Sequence, residues 1–137
     1  MLTHMLRVKT VLKKSAVSGT GLFAAENIST GTLVWMFTPG LDFKKSEQEV
    51  EMLNELDRSF FNTYCYRSKV SGLCVCPIDN ARFMNHSASP NVGVRFGLDS
   101  DEDINYAVED IPTGTELVID YKLFDEDFVV YQSAYSQ

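Results

Sequence analysis

Three short segments hold the residue types that could do chemistry. Gly19-Thr20-Gly21 directly follows an alternating stretch, and glycines at that spacing let backbone approach a bound molecule closely. It is not a dinucleotide fingerprint, because the third glycine is missing and no strand-helix-strand pattern follows; alone it is an ordinary turn. Arg82-Phe83-Met84-Asn85-His86-Ser87, with Ser89-Pro90-Asn91 beyond, sets an amide beside an imidazole, and the proline favours extended or turning backbone before it. His86 next to Ser87 is not a hydrolytic pair: neighbours in sequence rarely reach nucleophile and base geometry, and no Gly-x-Ser-x-Gly elbow is present. An isolated histidine is more often structural, hydrogen bonded through its ring nitrogens. Glu116-Leu117-Val118-Ile119-Asp120-Tyr121 reads as a strand ending in an aromatic hydroxyl.

Cys65, Cys74 and Cys76 are an odd count for a disulfide framework and read as reduced thiols. Cys74-Val75-Cys76 puts two thiols on one face of a strand, but a structural zinc site needs four ligands and only Cys65, His4 and His86 remain to complete it. The favoured reading is no metal, and three small hydrophobes in a β-rich core.

The elements that must position these segments are mostly short strands between turns. Leu6 to Lys13 alternates as a half-buried opening strand, and a turn over Ser18 to Gly21 follows. Asn27 to Val34 and Asp110 to Val118 are similar, each a glycine turn feeding a β-branched strand, which is shared local architecture and not a repeat fold. Ser46 to Phe60 is the best helix, with Val50, Leu53, Leu56 and Phe60 at helical spacing and a solvated acidic face. Further strands are expected around Tyr64 to Arg67, Leu73 to Cys76, Asn91 to Phe96, Ile104 to Glu109 and Glu116 to Tyr121, with a helical tail over Leu123 to Tyr135.

The 137 residues lack any composition shift or linker that would mark a second domain, so one domain over 1–137 is expected. Twelve Lys and Arg against nineteen Asp and Glu give a net charge of −7, a field that repels phosphate backbones and draws in cationic partners. No apolar run approaches the roughly 18 to 20 residues that span a bilayer, and Met1 to Thr10 lacks the apolar stretch of about 7 to 15 residues of a secretory signal. A soluble, intracellular protein is expected, with neither nucleic acid nor membrane as a direct partner.

Taken together and in this order, the three segments resemble the SET-domain family of protein lysine methyltransferases. The resemblance rests on Gly19-x-Gly21 followed by Leu22-Phe23-Ala24, on Arg82-Phe83-Met84-Asn85-His86-Ser87 with Pro90-Asn91, and on Glu116-Leu117-x-x-Asp120-Tyr121 after the Gly114 turn. It covers a core of about residues 7–124. It implies a mainly β fold with few short helices, a β-clip of small curved sheets in which the Asn-His segment and the Asp-Tyr strand make a knot-like crossing. It further implies that backbone around Gly19, Thr20, Gly21 and Leu22, with Asn85 and His86, holds S-adenosylmethionine, and that Arg82 and Phe83 support that pocket. Tyr121 would be the catalytic tyrosine. Tyr64 and Tyr66 fall where the family places aromatics along the lysine channel, Tyr64 being the preferred wall. Ile119 stands where the family often has Phe or Tyr; without a hydroxyl there, the pocket has room for more than one methyl, and di- or trimethylation is expected.

The implied chemistry is an in-line displacement, which needs alignment and no covalent nucleophile. A lysine of pKa about 10.4 costs about 4.6 kcal/mol to deprotonate at pH 7. A sulfonium and an apolar channel both lower that cost. A phenol of pKa about 10 is not a base at pH 7, so Tyr121 would orient the amine.

Departures from the family pattern also matter. Many members carry a cysteine after the Asn-His-Ser motif that joins a C-terminal zinc module over the channel. Here that position is Ala88 and no cysteine follows Cys76, so something else must close the channel. Phe124, Phe128, Tyr131 and Tyr135 would form one apolar stripe if helical, suited to folding over the site, to a homodimer partner, or to docking on the core. The chain is similar to the free-standing minimal SET proteins of viruses and bacteria. Its acidity suits a basic substrate such as a histone tail, bound as an extended peptide at a sheet edge, although ribosomal proteins are basic too. Two rivals stand: a SET-like module that binds peptide or cofactor without turnover, and a methyltransferase of a non-histone protein or small amine. Intact Asn85, His86 and Tyr121 favour the enzyme.

Overall fold

A computed structural model describes residues 6–96 and 102–125. These residues form three small sheets, with the mainly β character expected. Strands β1 (Thr10–Lys14) and β2 (Thr20–Ala24) form an antiparallel hairpin, Thr10 opposite Ala24 and Lys14 opposite Thr20. Its turn closes on Ser15, whose N–H donates to the Gly19 carbonyl (2.8 Å) and whose Oγ accepts from Val17 N–H (2.9 Å). Gly19 sits at φ +47°, a region that disfavours side chains.

The central sheet contains β3 (Leu33–Met36), β7 (Asn85–His86), β8 (Val92–Arg95), β9 (Ile104–Ala107) and β10 (Val118–Ile119), in the order β3-β9-β8-β10-β7. β10 pairs in parallel with β7 on one side and β8 on the other. The chain between β7 and β8 must therefore cross β10, which is the knot-like crossing expected. Asn91 holds it as a strand would: its Nδ2 donates to the Glu116 carbonyl (2.8 Å), and its Oδ1 accepts from Val118 N–H (2.9 Å). The third sheet, β4 (Phe43–Lys45), β5 (Tyr66–Arg67) and β6 (Cys74–Cys76), has β6 in the middle.

The main core joins the sheets through Leu22, Val34, Trp35, Val75, Val92 and Leu117, all at most 2% exposed. A smaller cluster of Val50, Phe61, Cys65 and Cys76 lies apart from it.

The single helix expected over Ser46 to Phe60 is instead two, α1 (Glu47–Glu51) and α2 (Glu55–Tyr64). Ser46 and Glu49 form a reciprocal capping box on α1, and the Asn54 side chain accepts from Asp57 N–H (2.9 Å) to start α2 afresh. The break shifts the buried face. Val50 and Phe61 are buried, whereas Leu56 is 83% and Phe60 43% exposed.

Other boundaries differ as well. Leu6 makes only an isolated bridge to Trp35, and β4 and β7 were not anticipated. Tyr121–Leu123 is a 3₁₀ turn and Phe124 is buried, while the tail positions Phe128, Tyr131 and Tyr135 lie outside the described residues. No helix among the described residues is long and apolar enough to cross a membrane.

Candidate functional site

The crossing brings the three sequence segments to one place. Asn85 Nδ2 lies 2.9 Å from Glu116 Oε2, 3.0 Å from the Ser18 carbonyl and 3.1 Å from Ser15 Oγ. Ser15 Oγ in turn donates to the Glu116 carboxylate (2.7 Å). Gly21 lies under that carboxylate: a Cβ there would stand 2.5 Å from Glu116 Oε2. The second glycine is thus a matter of space, the first one of backbone conformation.

His86 links this crossing to Tyr121. Its Nδ1 accepts from the Tyr121 backbone N–H (3.1 Å), which places the ring proton on Nε2, and the two rings lie 5.2 Å apart. The Tyr121 hydroxyl donates to the Met84 carbonyl (2.6 Å). Its only proton is spent there, so toward a bound group the phenol oxygen can only accept.

Beside Tyr121 lies a cavity of about 90 Å³. Tyr64, Tyr66, Arg82, Ile119 and Tyr121 all line it, five of the residues singled out from sequence. Phe83 does not; its ring packs edge-on against Tyr64 (5.8 Å) and carries the Arg82 guanidinium (4.9 Å). Thr20 is exposed on β2, and the Leu22 side chain is fully buried in the core with its carbonyl accepting from Leu117 N–H (2.8 Å).

Several cavity residues escaped sequence reasoning. Trp35, Met84, Asn105 and the carboxylates Asp103 and Asp125 line it too. Burial drives the Asp103 carboxyl up to about 6, against hydrogen bonds from Tyr66 (2.9 Å) and Asn105 (3.1 Å) that pull the other way. Burial and the neighbouring Asp103 hold the Tyr66 phenol well above its ordinary value, so it keeps its proton on Asp103. Asp103 follows a segment with no periodic signal, and nothing local marks it as buried.

The three cysteines, expected as small hydrophobes in a β-rich core, form one cluster with all sulfur atoms within 4.8 Å of each other. Their thiols share protons. Hydrogen bonds from Cys65 and Cys76 draw Cys74 down to about 4, while the same bonds push the other two up.

Residues 19–122 match the SET domain family, three quarters of the chain. The chain belongs to the SET-domain family. The SET fold is also that of solved structures. A Plasmodium falciparum protein assigned as a histone methyltransferase superposes with TM-score 0.61 at 22% identity, over 85% of this chain and 95% of that one. The Neurospora SET-domain protein DIM-5, a histone lysine methyltransferase, gives TM-score 0.60 at 22% identity, over 85% of this chain and 53% of its own length. SET membership supports protein-lysine methyltransferase activity in general terms.

Proposed function

We propose that this SET domain is an S-adenosylmethionine-dependent protein lysine N-methyltransferase acting on a basic protein. The observation that carries the reading is the Tyr121 arrangement. A phenol oxygen restricted to accepting, backed by the Met84 carbonyl and set in an aromatic cavity, is suited to orient a lysine amine and not to deprotonate it.

Open space at the Gly19 turn leaves room for the cofactor. None of Gly19, Asn85 and His86 lines the Tyr121 cavity; they lie beside it, where a Cβ built on Gly19 meets nothing within 4 Å. The exposed backbone around Gly19, with Asn85 and His86, would hold the adenosyl group; when bound, its sulfonium supplies the methyl. The chain's own residues do the rest. Tyr64 and Tyr66 exclude water and disfavour the ammonium form. Histone tails are the first substrate to test, and the net charge of −7 favours any Lys/Arg-rich protein.

The test is labelled methyl transfer from S-adenosylmethionine to core histones and ribosomal proteins, run beside Tyr121→Phe, with cofactor binding followed by calorimetry. The expected result is label on one protein and a loss of about 10²-fold or more in the variant, with cofactor affinity unchanged. Cofactor binding with no transfer to any basic protein would support the rival binding module instead. Ile119, buried at 3% exposure in the cavity wall, brings no hydroxyl to the cavity, which supports addition of more than one methyl. Mass spectra of product should show di- or trimethyl-lysine, and Ile119→Tyr should shift them toward monomethyl; a wild-type spectrum stopping at one methyl overturns this.

A further inference from the structure

The cysteine cluster is a product of strand register. Tyr66 pairs with Val75 and Arg67 with Cys74, so Cys65 falls opposite Cys76 on the same face of the sheet. Alternation along β6 puts Cys74 on that face too and Val75 on the other, where Val75 joins the main core. Three ends of two elements thus converge on one point: the C-terminus of α2 and both ends of β6.

The spacing suits a metal. Thiolates bound at about 2.3 Å to one ion stand about 4 Å apart, within reach of sulfurs that already lie within 4.8 Å. Cys74 and Cys76 are two apart on one strand, too far for a sulfur–sulfur bond of about 2.05 Å without moving backbone. Cys65 and Cys74 also line a cleft of about 240 Å³, shared with Glu47 and Glu51 of α1 and with Arg58 and Arg67.

We propose that Cys65, Cys74 and Cys76 bind one zinc ion, with its fourth position open to this cleft. The three thiols are one short of the four ligands a structural site needs; a cleft at the fourth position lets water or the Glu51 carboxylate complete the shell. No redox change is involved. Each ligating thiol gives its proton to solvent, and Arg58 lies at the cleft to face the net −1 of a trithiolate zinc, while Arg67 is already paired with Glu47 at 2.7 Å. The ion would staple α2 to β6 where the local core is Val50, Phe61 and two of the cysteines themselves, with Leu53 packed against them. Cys65 also lines the aromatic cavity between Tyr64 and Tyr66, so the same staple would fix that wall.

The proposal does not depend on methyl transfer and is tested without it. The full chain, purified reduced, is loaded with Zn²⁺, desalted and assayed for metal, then titrated with Co²⁺. One equivalent of zinc and a near-ultraviolet sulfur-to-cobalt charge-transfer band are expected, with a melting temperature that falls on chelation. Cys74→Ser, the half-buried member, should keep the wild-type circular dichroism, lose the band and weaken zinc binding by roughly tenfold or more. Absence of retained zinc and of the cobalt band overturns the proposal, as does undiminished zinc binding in Cys74→Ser. Should that variant not fold, protection of the wild-type thiols from alkylation by stoichiometric Zn²⁺ decides the matter; equal labelling with and without zinc overturns it.

Discussion

Gly21 and Gly19 look alike in sequence and differ entirely in what they tolerate. A methyl on Gly21 would stand 2.5 Å from the Glu116 carboxylate, which Ser15 and Asn85 already hold. Gly21→Ala must therefore displace Glu116 and cost about 1 to 3 kcal/mol in denaturant melts, with weakened S-adenosylmethionine binding by calorimetry. Gly19→Ala has open space and bears only the left-handed backbone, about 1 kcal/mol. Equal losses in the two variants would refute this division. The need for glycine was legible in the spacing; the reason was not, because Glu116 lies 95 residues away in the chain.

At the scale of elements, long-range polar pairs set how the sheets meet. Lys44 on β4 reaches Glu102, just before β9, at 2.7 Å; Glu102 is 1% exposed, and the ammonium also lies 4.6 Å over the Phe37 ring. Removing that cation leaves a buried carboxylate without it. Lys44→Met should lose about 3 to 5 kcal/mol, and the double variant with Glu102→Leu should regain much of it; a double variant no more stable than Lys44→Met would refute the account. The two look-alike segments also meet. Ile28 and Ile111 exchange backbone hydrogen bonds (2.9 and 2.8 Å), Asn27 accepts from Thr113 N–H (3.0 Å), and Asp110 accepts from Thr30 N–H (2.8 Å). Similar turn chemistry was readable in sequence, but reciprocal capping was not. The helical periodicity over Ser46 to Phe60 misled for a local reason: Asn54 is an N-cap residue inside an apolar repeat, and its side-chain bond to Asp57 wins over continuity.

For the molecule as a whole, buried carboxyls set the response to acid. Burial is the first cause raising Asp42, Asp79 and Asp103, the last to about 6. Each binds a proton in the folded state where the unfolded chain has released it, so the native state holds more protons and stability falls as pH rises above about 4, for Asp103 up to about 6. For Asp103 a shift of about two units corresponds to roughly 3 kcal/mol, and Asp103→Asn should flatten the slope of denaturant midpoints across that window. A slope unchanged by the substitution would assign the effect elsewhere. Sequence alone determined the mainly β class, the SET family and five of the residues around one cavity, because short motifs, turns and strand alternation are local and survive in linear order. Only the tertiary structure decided that Glu116 fills the space above Gly21, that Asp103 is buried beside Tyr66, and that three thiols share one face. These depend on register between strands far apart in the chain, and a shift of one residue would turn each side chain to the opposite face.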